Sequence, residues 1–268
     1  GTSTQKGTIS VWIKSSEEPS GNNQTTLASW GDANNHGALL WNGSDKIDAF
    51  DYQSGYASQL QTNAVLRDCS AWYHIVYAWD TTLGTANDRQ KIYINGVEQT
   101  YSTRTNYSVN AATSWNANSY SKRVGALNSS SYFSGLISYT AFVDGLQYDA
   151  TSFGETNAAT GIWKINTSPS VTYGTNGFFL KMDTSSPGSD TSGNNNTFTA
   201  SGTPTLAQDN ASNNFATLNP LNAYYTNSTF SNGNTTFASG SSYSGTTANI
   251  LLSTCLLYTS PSPRDSDS

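Results

Sequence analysis

Charge is scarce in this chain: Asp, Glu, Lys and Arg make up 11% of its 268 residues, with 18 acidic against 12 basic side chains and a net charge of −6. A protein that follows a phosphate backbone needs a basic face, and no Lys/Arg cluster occurs, so a nucleic-acid partner is excluded. From Asp183 to Thr254 Lys and Arg are missing altogether. No apolar run approaches the roughly 18 residues that cross a bilayer as a helix, and no signal peptide is visible at the start, so membrane insertion is not expected. Histidine is limited to His36 and His74, too few for a His-rich metal site or a readily assembled Ser-His-Asp triad. Met182 is the single methionine and the first residue is Gly1. This leads us to expect a fragment of a longer protein.

What is present instead is aromatic residues, 12% of the chain, set among Gly, Ser, Thr and Asn. That composition suits many short strands joined by turns. Along Trp72–Asp80 the side chains alternate, with Trp72, His74, Val76 and Ala78 on one face and Tyr73, Ile75, Tyr77 and Trp79 on the other. Both faces are bulky, which predicts a strand inside a layered β structure. Asn95-Gly96, between Ile92, Ile94 and Val97, is a hairpin signal, because a type I′ turn needs positive φ at both central residues. Alternation and turn residues predict strands at 8–14, 25–31, 37–42, 45–52, 56–61, 72–79, 90–95, 97–101, 122–127 and 132–143. Helical periodicity is missing, apart from a single turn expected behind an Asp149 cap. The fold class is therefore all-β, an antiparallel sandwich, and at this length one full core can be buried.

The segments Thr8–Lys14, the Trp72–Glu98 hairpin, Val124–Leu127 and Phe133–Ile137 together resemble laminin G-like and concanavalin A-like jelly-roll modules. The resemblance implies a jelly-roll sandwich over 1–182. Phe178–Met182 reads as a further strand, and 183–202 as the region that closes the sandwich or else opens another module; closure is favoured because an unpaired edge is usually covered. Residues 203–254 read as an extended polar linker or the start of a second module, with Phe215, Leu218, Leu221, Tyr224 and Tyr225 available to dock on a neighbour. The tail 255–268 contains CLLYTSPSPRD, Cys255–Asp265, which resembles a translated sequencing adapter and is set aside; the natural protein is expected to continue past Thr254. Cys69 then has no partner, so no disulfide framework can be argued, the redox compartment stays open, and a packed thiol is expected.

A second resemblance runs from Phe142 to Leu221. FVDGLQYDATSFGETNAATGIWKIN, then YGTNGFFLKM, SGNNNTFT and NNFATLNPL, is similar to structural proteins of tailed phages, in tail fibres and other virion appendages. It implies a virion surface protein whose rim loops recognise host-surface glycan and which contacts other virion proteins. The alternatives are a virion module that binds no sugar, or a secreted or cell-surface bacterial lectin-like domain. Trimers are common among such fibres, although no heptad or β-helix repeat is present to supply one.

Glycoside hydrolases share the jelly roll, but retaining glycosidases need two carboxyl groups about 5–5.5 Å apart. Glu17, Glu18, Glu98 and Glu155 are the only glutamates and none lies in the Glu-x-Asp-x-x-Glu pattern of the glucanases, so no catalytic residue is assigned and a non-enzyme is expected. Sugar recognition needs exposed aromatic faces beside Asn and Asp, because a pyranose offers an apolar face and a ring of hydroxyls. Trp30, Trp41, Tyr52, Tyr56 and Trp115 lie near such loops. Calcium is the one cofactor the resemblance implies, with Asp45, Asp48, Asp51 and Asp80 at or near strand ends as the ligand candidates. His74 is expected to be packed and hydrogen-bonded.

Overall fold

In the computed structural model, which describes residues 1–16, 25–69, 71–117, 120–127, 130–183, 185–214, 217–223, 228–231, 234–239 and 245–248, strand alternation builds two six-stranded antiparallel sheets. In chain order the strands are β1 (Lys6–Ser15), β2 (Thr25–Gly31), β3 (Asn35–Trp41), β4 (Ile47–Gln53), β5 (Tyr56–Thr62), β6 (Tyr73–Asp80), β7 (Gln90–Ile94), β8 (Val97–Glu98), β9 (Tyr101–Thr105), β10 (Lys122–Val124), β11 (Gly135–Asp144), β12 (Gly154–Thr156), β13 (Trp163–Ile165) and β14 (Phe178–Leu180). The first sheet runs β14-β11-β1-β6-β7-β8 and the second β10-β2-β3-β4-β5-β9. The sheets share one core: Ile9, Val11, Ile13, Ile75, Tyr77, Trp79 and Phe142 from the first meet Leu27, Trp30, Leu39, Trp41, Ala49 and Leu60 from the second. Burying each Val, Ile, Leu or Phe side chain among them contributes about 1.5–3 kcal/mol.

The two faces of β6 separate as the alternation predicts. Tyr73, Ile75, Tyr77 and Trp79 join the inter-sheet core, while Val76 packs outward with Trp12, Tyr139, Phe153 and Phe179 in a second cluster against which Trp72 and Trp163 lie. The hairpin β12–β13 and the 3₁₀ turn Ala150–Ser152 cover this outer face. Asp149 caps that turn, accepting the Thr151 N–H at 3.0 Å. At the β7–β8 turn Asn95 and Gly96 have φ of 47° and 84°, as a type I′ turn requires. A Cβ on Gly96 would lie 2.5 Å from the Trp163 ring, so the turn is fixed by tertiary contact as well as by local geometry.

The topology corrects one expectation. The strand expected over 97–101 is divided, because Val97–Glu98 pairs with β7 of the first sheet and Tyr101–Thr105 with β5 of the second, and the chain crosses between them at Gln99-Thr100. β11 and β6 flank β1, and the edge that β14 covers belongs to β11, through Thr140↔Leu180 to Phe142↔Phe178. Gly1–Phe215 forms one compact unit and Ala216–Ser268 a second. In the second unit β15 (Leu218–Ala223) pairs with β18 (Thr246–Ala248), and β16 (Thr229–Ser231) pairs with β17 (Thr236–Ala238), with Phe230 and Phe237 5.5 Å apart. Glu17, Glu18, Phe215, Tyr224, Tyr225 and the Cys255–Asp265 run lie outside the described residues, as does the side chain of Leu221.

Candidate functional site

Three of the five aromatic candidates are core residues. Trp30, Trp41 and Trp115 are 0% exposed, and a ring with no exposed face offers a sugar nothing to stack on. Trp30 and Trp41 point inward from β2 and β3, while Trp115, on the 3₁₀ turn Ser114–Asn116, packs with Trp30, Tyr77 and Trp79 at 5.4–5.6 Å between ring centroids. A Cβ on Gly37 would come within 2.4 Å of the Trp115 ring, so the glycine makes room for the indole. Their proximity to polar loops in sequence misleads because strand alternation turns Trp30 and Trp41 inward and the 3₁₀ turn packs Trp115 against the core.

The other two candidates are brought together on the outer face of the second sheet. Tyr52 and Tyr56 pair across β4 and β5, with ring centroids 5.6 Å apart at 85°. Tyr56 is 57% exposed and Tyr52 half-buried, and neither phenol hydroxyl hydrogen-bonds to a described residue. Phe50 lies 5.5 Å from Tyr56, and His36 sits 5.6 Å from Phe50 and 5.8 Å from Tyr52, which makes a continuous aromatic surface. Beside it on the same face, Gln59 Nε2 donates to both oxygens of Asp48, at 3.0 and 3.2 Å. Burial pushes the Asp48 carboxyl up, partly offset by the carboxamide bonds, and burial lowers the His36 imidazole. An exposed ring flanked by phenol, carboxamide and carboxylate groups can hold a flat polyol by stacking and hydrogen bonding.

The structure does not bring the four aspartates together. Asp45 lies in the turn after β3 and accepts from Arg67 Nε at 2.8 Å. Asp51 faces the opposite side of β4 from Asp48; it accepts from the Ser114 N–H at 2.9 Å and the Tyr107 hydroxyl at 3.1 Å, and burial raises its carboxyl. Asp80, in the other sheet, pairs with Lys6 at 3.0 Å and accepts from the Thr82 hydroxyl at 2.6 Å. Among the described residues no three His, Cys, Asp or Glu are grouped to hold a metal ion. Glu98 shares the Lys91 ammonium with Asp88, and Glu155 pairs with Lys164 across β12–β13. The Cys69 thiol is buried.

A second concavity had no sequence signal. A cleft of about 650 Å³ lies between β10 and the first half of β11 on one side and residues of the 182–210 segment on the other. Leu136, Ile137 and Phe198 supply apolar wall, and Tyr132 and Leu206, 62% and 53% exposed, stand at it. Lys122 lines it as well. Because Lys122 pairs with inward-facing Trp30, its side chain leaves β10 on the core side, as Val124 does. On a three-residue strand such an orientation cannot be read from periodicity.

Comparison with known proteins gives a family model described as the concanavalin A-like lectin/glucanases superfamily, of laminin G type, which matches residues 1–145. No curated protein matches the chain. Similar solved structures include domain 4 of an extracellular GH43 arabinanase from Geobacillus stearothermophilus in complex with arabinotriose, 19% identical over 54% of this chain and 63% of that one, with a TM-score of 0.38. The CBM40 of a Ruminococcus gnavus IT-sialidase bound to α2,3 sialyllactose is 15% identical over 50% of this chain and 70% of its own, with a TM-score of 0.36. A heptameric SAP-like pentraxin from Limulus polyphemus is 14% identical over 54% and 66%, with a TM-score of 0.36. The chain thus spans less than two thirds of the first of these structures.

Proposed function

The chain belongs to the concanavalin A-like lectin/glucanases superfamily, and from that premise we propose that it is a non-catalytic, lectin-like domain that binds glycan on the Tyr52–Tyr56 surface, as part of a tailed-phage virion appendage. The observation that carries the binding half is the Tyr52–Tyr56 pair beside Gln59 and Asp48, with Tyr56 exposed and neither phenol bonded to a described residue. The virion half is supported by the Phe142–Leu221 run, whose order is similar to that of phage appendage proteins. The partners are a host-surface glycan and neighbouring virion proteins, with a homotrimer as the proposed assembly.

A glycan array probed with the full chain, in calcium and in EDTA, tests the binding half. Binding of a defined glycan is expected, with affinity about tenfold weaker for a Y52A/Y56A variant that melts like the wild type. An empty array with verified folding would leave a spacer module without sugar binding. A difference between the calcium and EDTA arms would place an ion in the recognition. Mass spectrometry of purified virions tests the other half, and a gene lying away from phage tail genes would favour the secreted bacterial lectin-like domain.

A further inference from the structure

Lys122 is placed unusually for a cation. It sits on the last strand of the second sheet, on the core-facing side, at the edge where the two sheets open. The side chain is half-buried, and among the described residues it has neither a hydrogen bond nor an ion pair. Burial lowers its ammonium, and Asp144 is the charge that acts on it in the other direction. Asp144 is already occupied. Its oxygens accept from the backbone N–H groups of Thr2 at 2.6 Å, Asn176 at 2.9 Å and Ser3 at 3.0 Å, and from the Asn116 side chain. Asp209, the carboxylate among the residues that line the cleft, is paired with Lys14 at 2.7 Å. Arg123, next in sequence, leaves β10 on the other face and donates to the Gly31 carbonyl at 3.2 Å. A partly desolvated cation therefore faces an open cleft with no anion of the described chain to pair with, which is costly unless something else supplies the charge.

We propose that this cleft is a second binding site, for an anionic saccharide whose carboxylate pairs with Lys122 while its ring lies against Phe198 and Leu206. The volume of about 650 Å³ holds two or three sugar rings, within the usual range for ligand sites. Apolar wall beside the Lys122 ammonium matches a pyranose that carries one carboxylate: the ring C–H face has a surface to cover and the acid has a partner. A neutral sugar would leave the ammonium uncompensated, and an apolar ligand would bury it further. The site shares no residue with the Tyr52–Tyr56 surface, so it stands or falls separately from the function proposed above.

Calorimetric titration of the full chain with trigalacturonate, a hyaluronan tetrasaccharide and the neutral methyl ester of trigalacturonate tests the site. At least one acidic probe is expected to bind, more weakly as salt rises, and the ester to bind at least about fivefold more weakly than its parent acid. K122M should lose about tenfold in affinity and K122R should retain most of it, both with the wild-type melting profile. Y52A/Y56A should leave this binding intact. The proposal is overturned if no acidic probe binds up to about 10 mM, if K122M binds as the wild type does, or if the loss follows the tyrosine variant instead.

Discussion

His74 shows how one polar residue is made tolerable inside the fold. Its ring is fully buried, stacked on Trp12 at 4.7 Å and flanked by Trp163 at 6.0 Å. The Trp163 indole N–H donates to Nδ1 at 3.0 Å; an indole nitrogen can only donate, so the ring proton is on Nε2, which faces Ser10 Oγ at 2.8 Å. Burial lowers the pKa to about 3, so the folded state keeps the ring neutral. The unfolded chain, with an ordinary pKa near 6.5, binds the proton first. Stability from this residue is therefore whole above about pH 6.5 and is lost as the pH falls towards the folded value. Urea unfolding should show a loss of about 1.5 kcal/mol between pH 6.5 and 5, and H74Q should show less than half of that slope. The packed, hydrogen-bonded state of His74 was legible from its place beside Trp72 on an alternating strand. Its Trp163 partner, 89 residues away, was not.

At the scale of elements, the far end of the segment after β14 is held by an ion pair. Lys14 Nζ and Asp209 Oδ2 are 2.7 Å apart, each side chain 1% exposed, and Trp72 Nε1 donates to the other oxygen at 3.0 Å. Removing one member leaves a buried charge without its counter-ion. D209A should therefore lose about 3–5 kcal/mol of stability and expose the 183–215 segment to limited proteolysis. The K14M/D209L double variant should recover at least half of that loss, since apolar replacement of both charges removes the desolvation cost. Asp190 anchors the same segment locally, accepting from the N–H groups of Phe179, Ser192 and Asn196 at 2.8–2.9 Å. A lone Asp in a polar stretch gave no sign in the sequence of burial at 209.

For the whole molecule, the division at Phe215 separates a jelly-roll unit with its own core from the strand pairs beyond it. A chain ending at residue 215 should unfold cooperatively, with a urea midpoint equal to that of the same transition in the full chain. One ending at residue 177 should lose more than the about 3–5 kcal/mol that a Phe178→Ala change costs, because Phe178 leaves the core and β11 loses its edge partner together. Circular dichroism and urea titration of the two truncations distinguish these outcomes.

By itself the sequence determined the class of structure: antiparallel strands, their approximate limits, the Asn95-Gly96 turn and the opposed faces of β6. These are local properties, set by side-chain alternation and by the φ that a turn requires. Tertiary structure decided which aromatic rings face solvent. Trp30, Trp41 and Trp115 resemble Tyr52 and Tyr56 in their surroundings along the chain, yet only the packing of the second sheet against the first assigns the tryptophans to the core and leaves the tyrosines outside. It likewise turned Lys122 into the cleft and paired Lys14 with Asp209. The physical reason is that burial and charge pairing depend on which strands become neighbours, and β-sandwich neighbours are tens to hundreds of residues apart in the chain.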